Sequence, residues 1–239
     1  MGKRQRVVAE GRRVLREEIK SFMQEWGIRW FSAEETKAKG LVFLRGGVVG
    51  FSEELESMLA DPKRYDELQG YEHLYELRVR FFIEMVQIME RMKPSYVCDA
   101  GCAAGLDAIA LARHFPEVQV RGYDNSGYLV EQAQIRAAYF GLDPRMFYPS
   151  DHLHKADDTG AFDIVYAKFS IAEGEDTLAD SLPRIYGIAR RLKPGGLLVV
   201  CDTEDLSMQR SWEGLTYVRR TDIMRVGDLE TYLHHLRKT

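Results

Sequence analysis

The sequence predicts an α/β fold, a doubly wound and mostly parallel sheet with an N-terminal helical cap. From residue 95 onward, short runs rich in β-branched and aromatic residues alternate with helical patterns, which is typical of βαβ units. The predicted strands are continuous apolar runs, as expected for strands that are buried on both faces. A glycine-containing turn follows the first of these strands and leads directly into a helical pattern.

Before residue 95 the patterns are mainly helical. Apolar residues at helical spacing predict an amphipathic helix over about residues 5–26. The apolar, glycine-containing stretch 41–51 predicts a short hairpin or a buried loop, and a short helix is expected at 51–62. A long helix at 72–94 must end near Lys93, because the residue before a proline is disfavoured in the α region.

The second part of the chain carries the alternating strands and helices. Strands are predicted at 95–101, 118–124, 146–151, 162–169 and 196–203, and helices at 106–115, 127–142 and 178–192. Pro194 and the two glycines after it predict a tight turn into the last of these strands. The C-terminal residues predict one strand at 215–226 and a helix at 228–239, with His234 and His235 on its surface. We therefore expect a cap over residues 1–70 and a main domain over residues 71–239.

Composition restricts the class of protein. With 239 residues, 45% of them hydrophobic, the chain is long enough to bury a hydrophobic core without stabilising disulfides or metal ions. Its net charge of −4 gives no global basic field for nucleic acid, although residues 1–20 hold seven basic and three acidic side chains. An odd count of three cysteines favours reduced thiols and a cytoplasmic location, and no apolar run reaches the length of a membrane span.

A loop and an acid after two neighbouring strands form a candidate nucleotide site. In the stretch "VCDAGCAAG" (97–105), Gly101 and Gly105 allow a tight turn and a close approach to a ligand. Asp124 ends the next strand, 23 residues after Gly101, where an acid can accept hydrogen bonds from both ribose hydroxyls. Together these features predict an adenosine-containing cofactor.

Three details distinguish between the cofactors. The loop lacks the G-x-G-x-x-G pattern of dinucleotide sites, and no Tyr-x-x-x-Lys pair of the short-chain dehydrogenase kind occurs. Asp99, directly before the loop, is a poor neighbour for a phosphate and a good one for an ammonium group. The pattern favours an adenosine cofactor that carries an amino group and no phosphate over NAD(P).

At this point the chain resembles the class I S-adenosylmethionine (SAM)-dependent methyltransferases, over about residues 71–204. The loop stretch is similar to their first motif, except that Ala103 replaces the middle glycine. The segments "GYDNS" (122–126), "YPSDHL" (148–153), "FDIVYAKFSI" (162–171) and "ARRLKPGGLLVV" (189–200) resemble later motifs. The resemblance implies SAM as cofactor and transfer of its methyl group to a small molecule by in-line displacement. It implies cofactor contacts from Asp99, Gly101, Cys102, Ala103, Gly105, Asp124, Asn125, Ser126, Ser150, Asp151, His152 and Lys168.

The methyl acceptor and the catalytic groups are less well defined. Candidates for a catalytic role are His152 and Lys168, while Tyr166 and Phe169 are expected to pack. The Asp151-His152-x-His154 cluster resembles a metal site, but strand alternation separates the acid from the histidines, and we expect no metal. The Asn/Asp-Pro-Pro-Tyr/Phe signature of amino-group methylation on DNA is absent.

Three alternatives remain open. The chain is an RNA methyltransferase if its basic N-terminal helix and Arg219, Arg220 and Arg225 bind RNA, although a nucleic-acid partner is not favoured. It is a non-catalytic SAM-binding protein if Ala103 and an incomplete C-terminal sheet have removed activity. An NAD(P) oxidoreductase is the third. Our preferred reading keeps a small-molecule substrate, no membrane partner and an N-terminal segment over the active site, and it is compatible with a homo-oligomer.

Overall fold

The computed structural model describes residues 3–25, 42–43, 49–50, 72–149, 159–168, 178–202, 214–226 and 229–239. The chain divides into two compact units. The first comprises Met1–Met92 with Val226–Leu229, and the second comprises Lys93–Arg225 with Glu230–Thr239. The domain boundary expected near residue 70 stays a prediction.

The described residues of the first unit form two helices and a small hairpin. Helix α1 (Lys3–Glu25) packs against helix α2 (Glu72–Met92) and buries Ile19 and Phe22. Strands β1 (Val42–Phe43) and β2 (Val49–Gly50) pair antiparallel, which agrees with the hairpin, one of the two alternatives predicted at 41–51. The helix predicted at 51–62 lies outside the described residues. Within the described part of the chain, no helix offers an apolar stretch long enough to cross a membrane.

The second unit is built on a seven-stranded sheet in the order β5-β4-β3-β6-β7-β9-β8. Its strands are β3 (Tyr96–Ala100), β4 (Gln119–Asp124), β5 (Phe147–Pro149), β6 (Phe162–Lys168), β7 (Leu192–Asp202), β8 (Leu215–Val226) and β9 (Leu229–Lys238). Its described residues also form helices α3 (Leu106–His114), α4 (Gly127–Tyr139) and α5 (Leu178–Ala189), with a 3₁₀ turn at Pro144–Met146. Neighbours among β3 to β7 pair parallel, as the sequence predicts, so their carboxyl ends share one edge.

The core lies on both faces of the central strands. On one face, Ile185 and Ile188 of α5 pack over Val165 and Leu198 of β6 and β7. The alternate residues of β3, β6 and β7, such as Val97 and Ile164, are fully buried on the other face. Burial of both faces explains the continuous apolar runs in the sequence.

The C-terminus corrects the sequence prediction. Residues 229–238 form strand β9, not a helix, and β9 pairs antiparallel with β7 from Leu197↔Arg237 to Asp202↔Tyr232. Leu233, His234, His235 and Leu236 are all buried, although consecutive strand residues point to opposite faces. The strand therefore lacks the alternation that reveals a half-exposed strand, and pairing with β7 overrides its local helical pattern.

The predicted surface position of the two C-terminal histidines is also wrong. His234 and His235, expected on the surface, lie in the interior of the sheet. His234 Nδ1 is 3.0 Å from the hydroxyl of Tyr217 on β8, so this buried polar ring has a hydrogen-bond partner.

The glycine turn predicted before the fifth parallel strand lies inside that strand. Strand β7 begins at Leu192, and the predicted turn lies inside it as a shift in register, because Phe162 pairs with Leu192 but Ile164 pairs with Leu197. Gly195 adopts a φ of 75° there. The two glycines thus lie among the extra residues of β7 that this shift in register accommodates.

Candidate functional site

The loop between β3 and α3 (residues 101–105) has a backbone suited to glycine. Gly101, Ala103 and Gly105 have φ angles of 82°, 47° and 81°. The N–H groups of Gly101 and Cys102 both donate to the Tyr123 carbonyl, at 2.8 and 2.9 Å. The loop is therefore held at the carboxyl ends of β3 and β4, where the sequence predicts it.

Ala103 occupies a left-handed conformation that alanine rarely adopts. Such a conformation costs an L-residue with a Cβ roughly 1–2 kcal/mol. The Ala103 N–H donates to Asp124 Oδ2 at 2.8 Å, and this bond holds the loop in place. Ala103 thus stands where the chain prefers a glycine on conformational grounds, and it carries a local strain.

Gly105 is explained by packing within the protein. A Cβ on Gly105 would lie 2.7 Å from the Phe147 ring and 2.8 Å from Ala133. A Cβ on Gly122 would lie 2.6 Å from the same ring. Phe147, fully buried on β5, therefore packs directly against Gly105 and Gly122 beside the loop, a role that sequence reasoning missed.

Asp124 fastens the loop to β4 and α4. Its side chain is 8% exposed, and besides Ala103 it accepts a hydrogen bond from the Ser126 N–H to Oδ1 at 2.9 Å. Ser126 caps α4 by accepting from Leu129 N–H, and Asn125 beside it is exposed. Each carboxylate oxygen has a second lone pair, so Asp124 can still accept hydrogen bonds from a ligand.

Asp99 is a buried acid at the carboxyl end of β3. It is 3% exposed, and burial, reinforced by the charge of Asp107, raises its pKa from 3.8 to about 8. Lys168 and the hydroxyl of Tyr166 oppose this rise, and Asp124 adds to it. At pH 7 the Asp99 carboxyl is therefore mostly protonated, and a cation placed beside it would favour release of that proton.

Lys168, at the end of β6, is largely buried and paired. Its ammonium forms an ion pair with Asp107 in the first turn of α3, and the two side chains are 13% and 9% exposed. Sequence reasoning missed Asp107. A signal was present, since an acid in the first turn of a helix that follows a glycine loop is stabilised by the helix dipole.

The remaining loop and strand residues are inert in character. Burial, then the charges of Asp99 and Asp124, raise the pKa of the Cys102 thiol, so the thiol stays protonated and unreactive. Tyr166 is fully buried beside Asp99 in the sheet register, in agreement with its expected packing role.

The structure places nine of the predicted site residues at one edge of the sheet. They are Asp99, Gly101, Cys102, Ala103, Gly105, Asp124, Asn125, Ser126 and Lys168. The other predicted residues, Ser150, Asp151 and His152, lie outside the described residues, as do His154 and Phe169. Among the residues that are described, no group of three or more His, Cys, Asp and Glu side chains could hold a metal ion.

The acids suit some ligands and not others. The N–H groups of Gly101, Cys102, Ala103 and Gly105 already have acceptors within the protein, and three acids, Asp99, Asp107 and Asp124, interact with one another beside this loop. Carboxylates disfavour a pyrophosphate there, and they provide acceptors for hydroxyl and ammonium groups. The described part of the site therefore offers acceptors to a ligand that carries hydroxyl and ammonium groups.

Comparisons with known proteins agree with this geometry. Residues 93–226, more than half of the chain, match a family model described as a methyltransferase domain. A curated relative, trans-aconitate 2-methyltransferase of Methylobacterium radiotolerans, is 27% identical over 137 residues, which are 57% of this chain and 49% of the relative.

Two further proteins show the range of similar sequences and folds. Ribosomal RNA small subunit methyltransferase C of Citrobacter koseri is 32% identical over 43% of this chain and 29% of its own length. The crystal structure of magnesium protoporphyrin IX methyltransferase from Synechocystis PCC 6803 with bound SAM aligns with a TM-score of 0.54 at 17% identity. That alignment covers 74% of this chain and 90% of that one. The chain spans about half the length of the first curated relative and under a third of the second.

Proposed function

Because the chain belongs to the methyltransferase-domain family and has the class I fold, we propose that it is a SAM-dependent enzyme that transfers the methyl group of SAM to a small-molecule acceptor. The observation that carries the proposal is the clamp between Asp124 and the loop. One carboxylate joins the ends of β4 and β3 through Ala103 and Ser126, and it still has lone pairs for ribose hydroxyls.

The other acids complete the cofactor site that we propose. Asp99 lies where it can pair with the ammonium of the methionine part, and Gly101 to Gly105 pass beside that part. Asn125 and Ser126 flank the ribose. Ser150, Asp151 and His152 are proposed to contact the adenine, on the strength of the motif resemblance.

Catalysis rests mainly on orientation. When bound, SAM would supply a methyl group on a positively charged sulfur. The sulfur is a good leaving group when a nucleophile lies in line with the carbon–sulfur bond. The protein has to align the acceptor with that bond and exclude water, and together these effects lower the activation free energy by several kcal/mol. We propose that the N-terminal cap covers the site for this purpose.

A general base is needed only where the acceptor carries a proton. Lys168 is a poor candidate, because its ion pair with Asp107 favours the charged ammonium. His152 stays the candidate for this role.

The similarity to trans-aconitate 2-methyltransferase supports a small organic acid as the acceptor class. The similarity to the ribosomal RNA enzyme favours a second candidate, methylation of RNA. Exposed Arg219 and Arg220 on β8 provide basic groups for such a partner. A non-catalytic SAM-binding role loses one of its grounds, because β8 and β9 complete the sheet.

The test is a transfer assay with SAM that carries a labelled methyl group. Small carboxylic acids and total RNA are offered separately, at low and at high salt. We expect label in the small-acid fraction. Label in RNA that is lost at high salt and on replacing Arg219 and Arg220 by alanine would establish the second candidate instead. Binding of the cofactor with transfer to neither would support the non-catalytic role.

A further inference from the structure

The ion pair between Lys168 and Asp107 lies inside the proposed cofactor site. Both side chains are nearly buried, at the carboxyl end of β6 and in the first turn of α3. Taking two charges out of water is costly, and apolar residues of the same size often give equal stability. Stability alone therefore gives no reason for a buried ion pair at this place.

The pair lies next to Asp99. Tyr166 is the register partner of Asp99, and Lys168 follows two residues later on β6. Because strand side chains alternate, Lys168 and Asp99 point to the same face, with Lys168 one step nearer the edge. Asp99 interacts electrostatically with Asp107, Lys168 and Asp124, so both signs of charge meet within one small region.

This arrangement matches the two charges of an amino-acid group. A ligand ammonium beside Asp99 favours release of its proton and then has a carboxylate to pair with. A ligand carboxylate is repelled by Asp124, and by Asp99 once it has lost its proton, unless a cation stands beside it. Among the described residues, Lys168 is a cation that acts on Asp99, and its ion pair with Asp107 positions it.

We propose that Asp107 and Lys168 form a charge-selecting pair, in which Lys168 binds the carboxylate of the cofactor and Asp107 positions Lys168. The inference rests on the proposed function and deepens it. The pair makes the site specific for a zwitterionic methionine group and excludes analogues that keep the ammonium but lack the carboxylate. Lys168 is then a specificity-determining residue, and Asp107 is a positioning residue.

The test compares two ligands on each protein by calorimetry. One ligand is S-adenosylhomocysteine, and the other is its decarboxylated analogue, which keeps the adenosine, the thioether and the amino group. The wild-type protein is expected to prefer S-adenosylhomocysteine by roughly 10- to 100-fold, the range for a charge-assisted hydrogen bond. In Lys168→Met this preference is expected to fall to about one or to reverse.

Two further variants protect the test. Asp107→Asn combined with Lys168→Met removes both charges, so no unpaired acid is left buried, and the same loss of preference is expected. Lys193→Met is the matched control, because Lys193 forms an ion pair with Asp163 where β6 begins, at the opposite end from Lys168. The control should keep the wild-type preference. A ratio of affinities on one protein does not depend on how much of that protein is folded.

The outcomes separate the two levels of the argument. A wild-type protein that binds neither ligand would contradict the proposed function, and the inference with it. A wild-type protein that binds S-adenosylhomocysteine, with the same preference retained in Lys168→Met and in the double variant, would overturn the inference alone. A preference lost equally in Lys193→Met would also overturn it.

Discussion

Two residues of the site, Ala103 and Asp99, are in conformations or charge states that a folded protein ordinarily avoids. Ala103 has a left-handed backbone, and Asp99 is a buried acid that holds its proton near neutral pH. Both lie on the loop side of β3, where a ligand is proposed to bind. Strain of this kind is often found at functional sites, where the surrounding structure compensates for it.

Replacing Ala103 by glycine is expected to stabilise the protein by about 0.5–1 kcal/mol. Glycine adopts the left-handed region without the strain of a Cβ, and this gain exceeds the extra conformational entropy that glycine loses on folding. Urea unfolding of the second unit within the full chain measures the change. The matched variant Gly105→Ala should destabilise, since its Cβ meets the Phe147 ring at 2.7 Å. A destabilised Ala103→Gly would show that the loop is not strained at this residue.

Asp99 gives stability a distinct pH dependence. Its folded pKa of about 8 lies above its ordinary 3.8, so between these values the folded protein binds a proton that the unfolded chain has released. The contribution of Asp99 is therefore largest below pH 4 and is lost as pH rises to about 8. Asp99→Asn, which stays neutral, should flatten this fall in melting temperature. Parallel profiles for wild type and Asp99→Asn would contradict the assignment.

At the scale of elements, Asp163 at the start of β6 joins three strands. Its Oδ2 accepts from the N–H groups of Ser95 and Tyr96 at 2.9 Å each, and its Oδ1 accepts from Lys193 Nζ at 2.7 Å. These bonds lie at the amino ends of β3 and β6, away from the proposed site. Asp163 thus has a purely structural task, which separates effects on the sheet from effects on the site.

Asp163→Ala is expected to destabilise the protein by about 1–3 kcal/mol, because two backbone donors and Lys193 lose their acceptor. Partial burial works to raise the pKa of Asp163, but Lys193 and the two N–H groups outweigh it and hold the pKa below 3.8. Its contribution is therefore present above pH 4 and is lost as pH falls below that. Thermal unfolding at pH 7 and pH 3 measures both effects, and an equal loss at both pH values would contradict this account.

At the scale of the whole molecule, the parallel half of the sheet could be predicted from sequence because the start or end of each of its helices and loops is marked by local sequence signals. Pro94 ends α2, Ser126 caps α4, and the glycines shape the loop after β3. Strand β9 has no such signal. It is buried on both faces and exists through its pairing with β7, so its local pattern misleads.

In the site, too, the residues with local sequence signals could be predicted and those that meet only through the folded sheet could not. Asp124 could be found from its spacing to the loop, since both lie in one βαβ unit. The ion pair of Lys168 with Asp107 joins residues 61 positions apart, and only the register of β6 beside β3 brings them together. The cap, the methyl acceptor and the general base depend on residues outside those described, and their roles stay predictions.

The central claim is that Asp124 and the loop bind the adenosine of SAM, and calorimetric titration with S-adenosylhomocysteine tests it most directly. The wild-type protein should bind, and Asp124→Ala should bind at least about 10-fold more weakly, because the ribose hydroxyls lose a charged acceptor. Asp143→Ala, which removes an exposed acid paired with Arg145, serves as the control and should bind as the wild type does. Equal affinity of the wild type and a folded Asp124→Ala would contradict the claim.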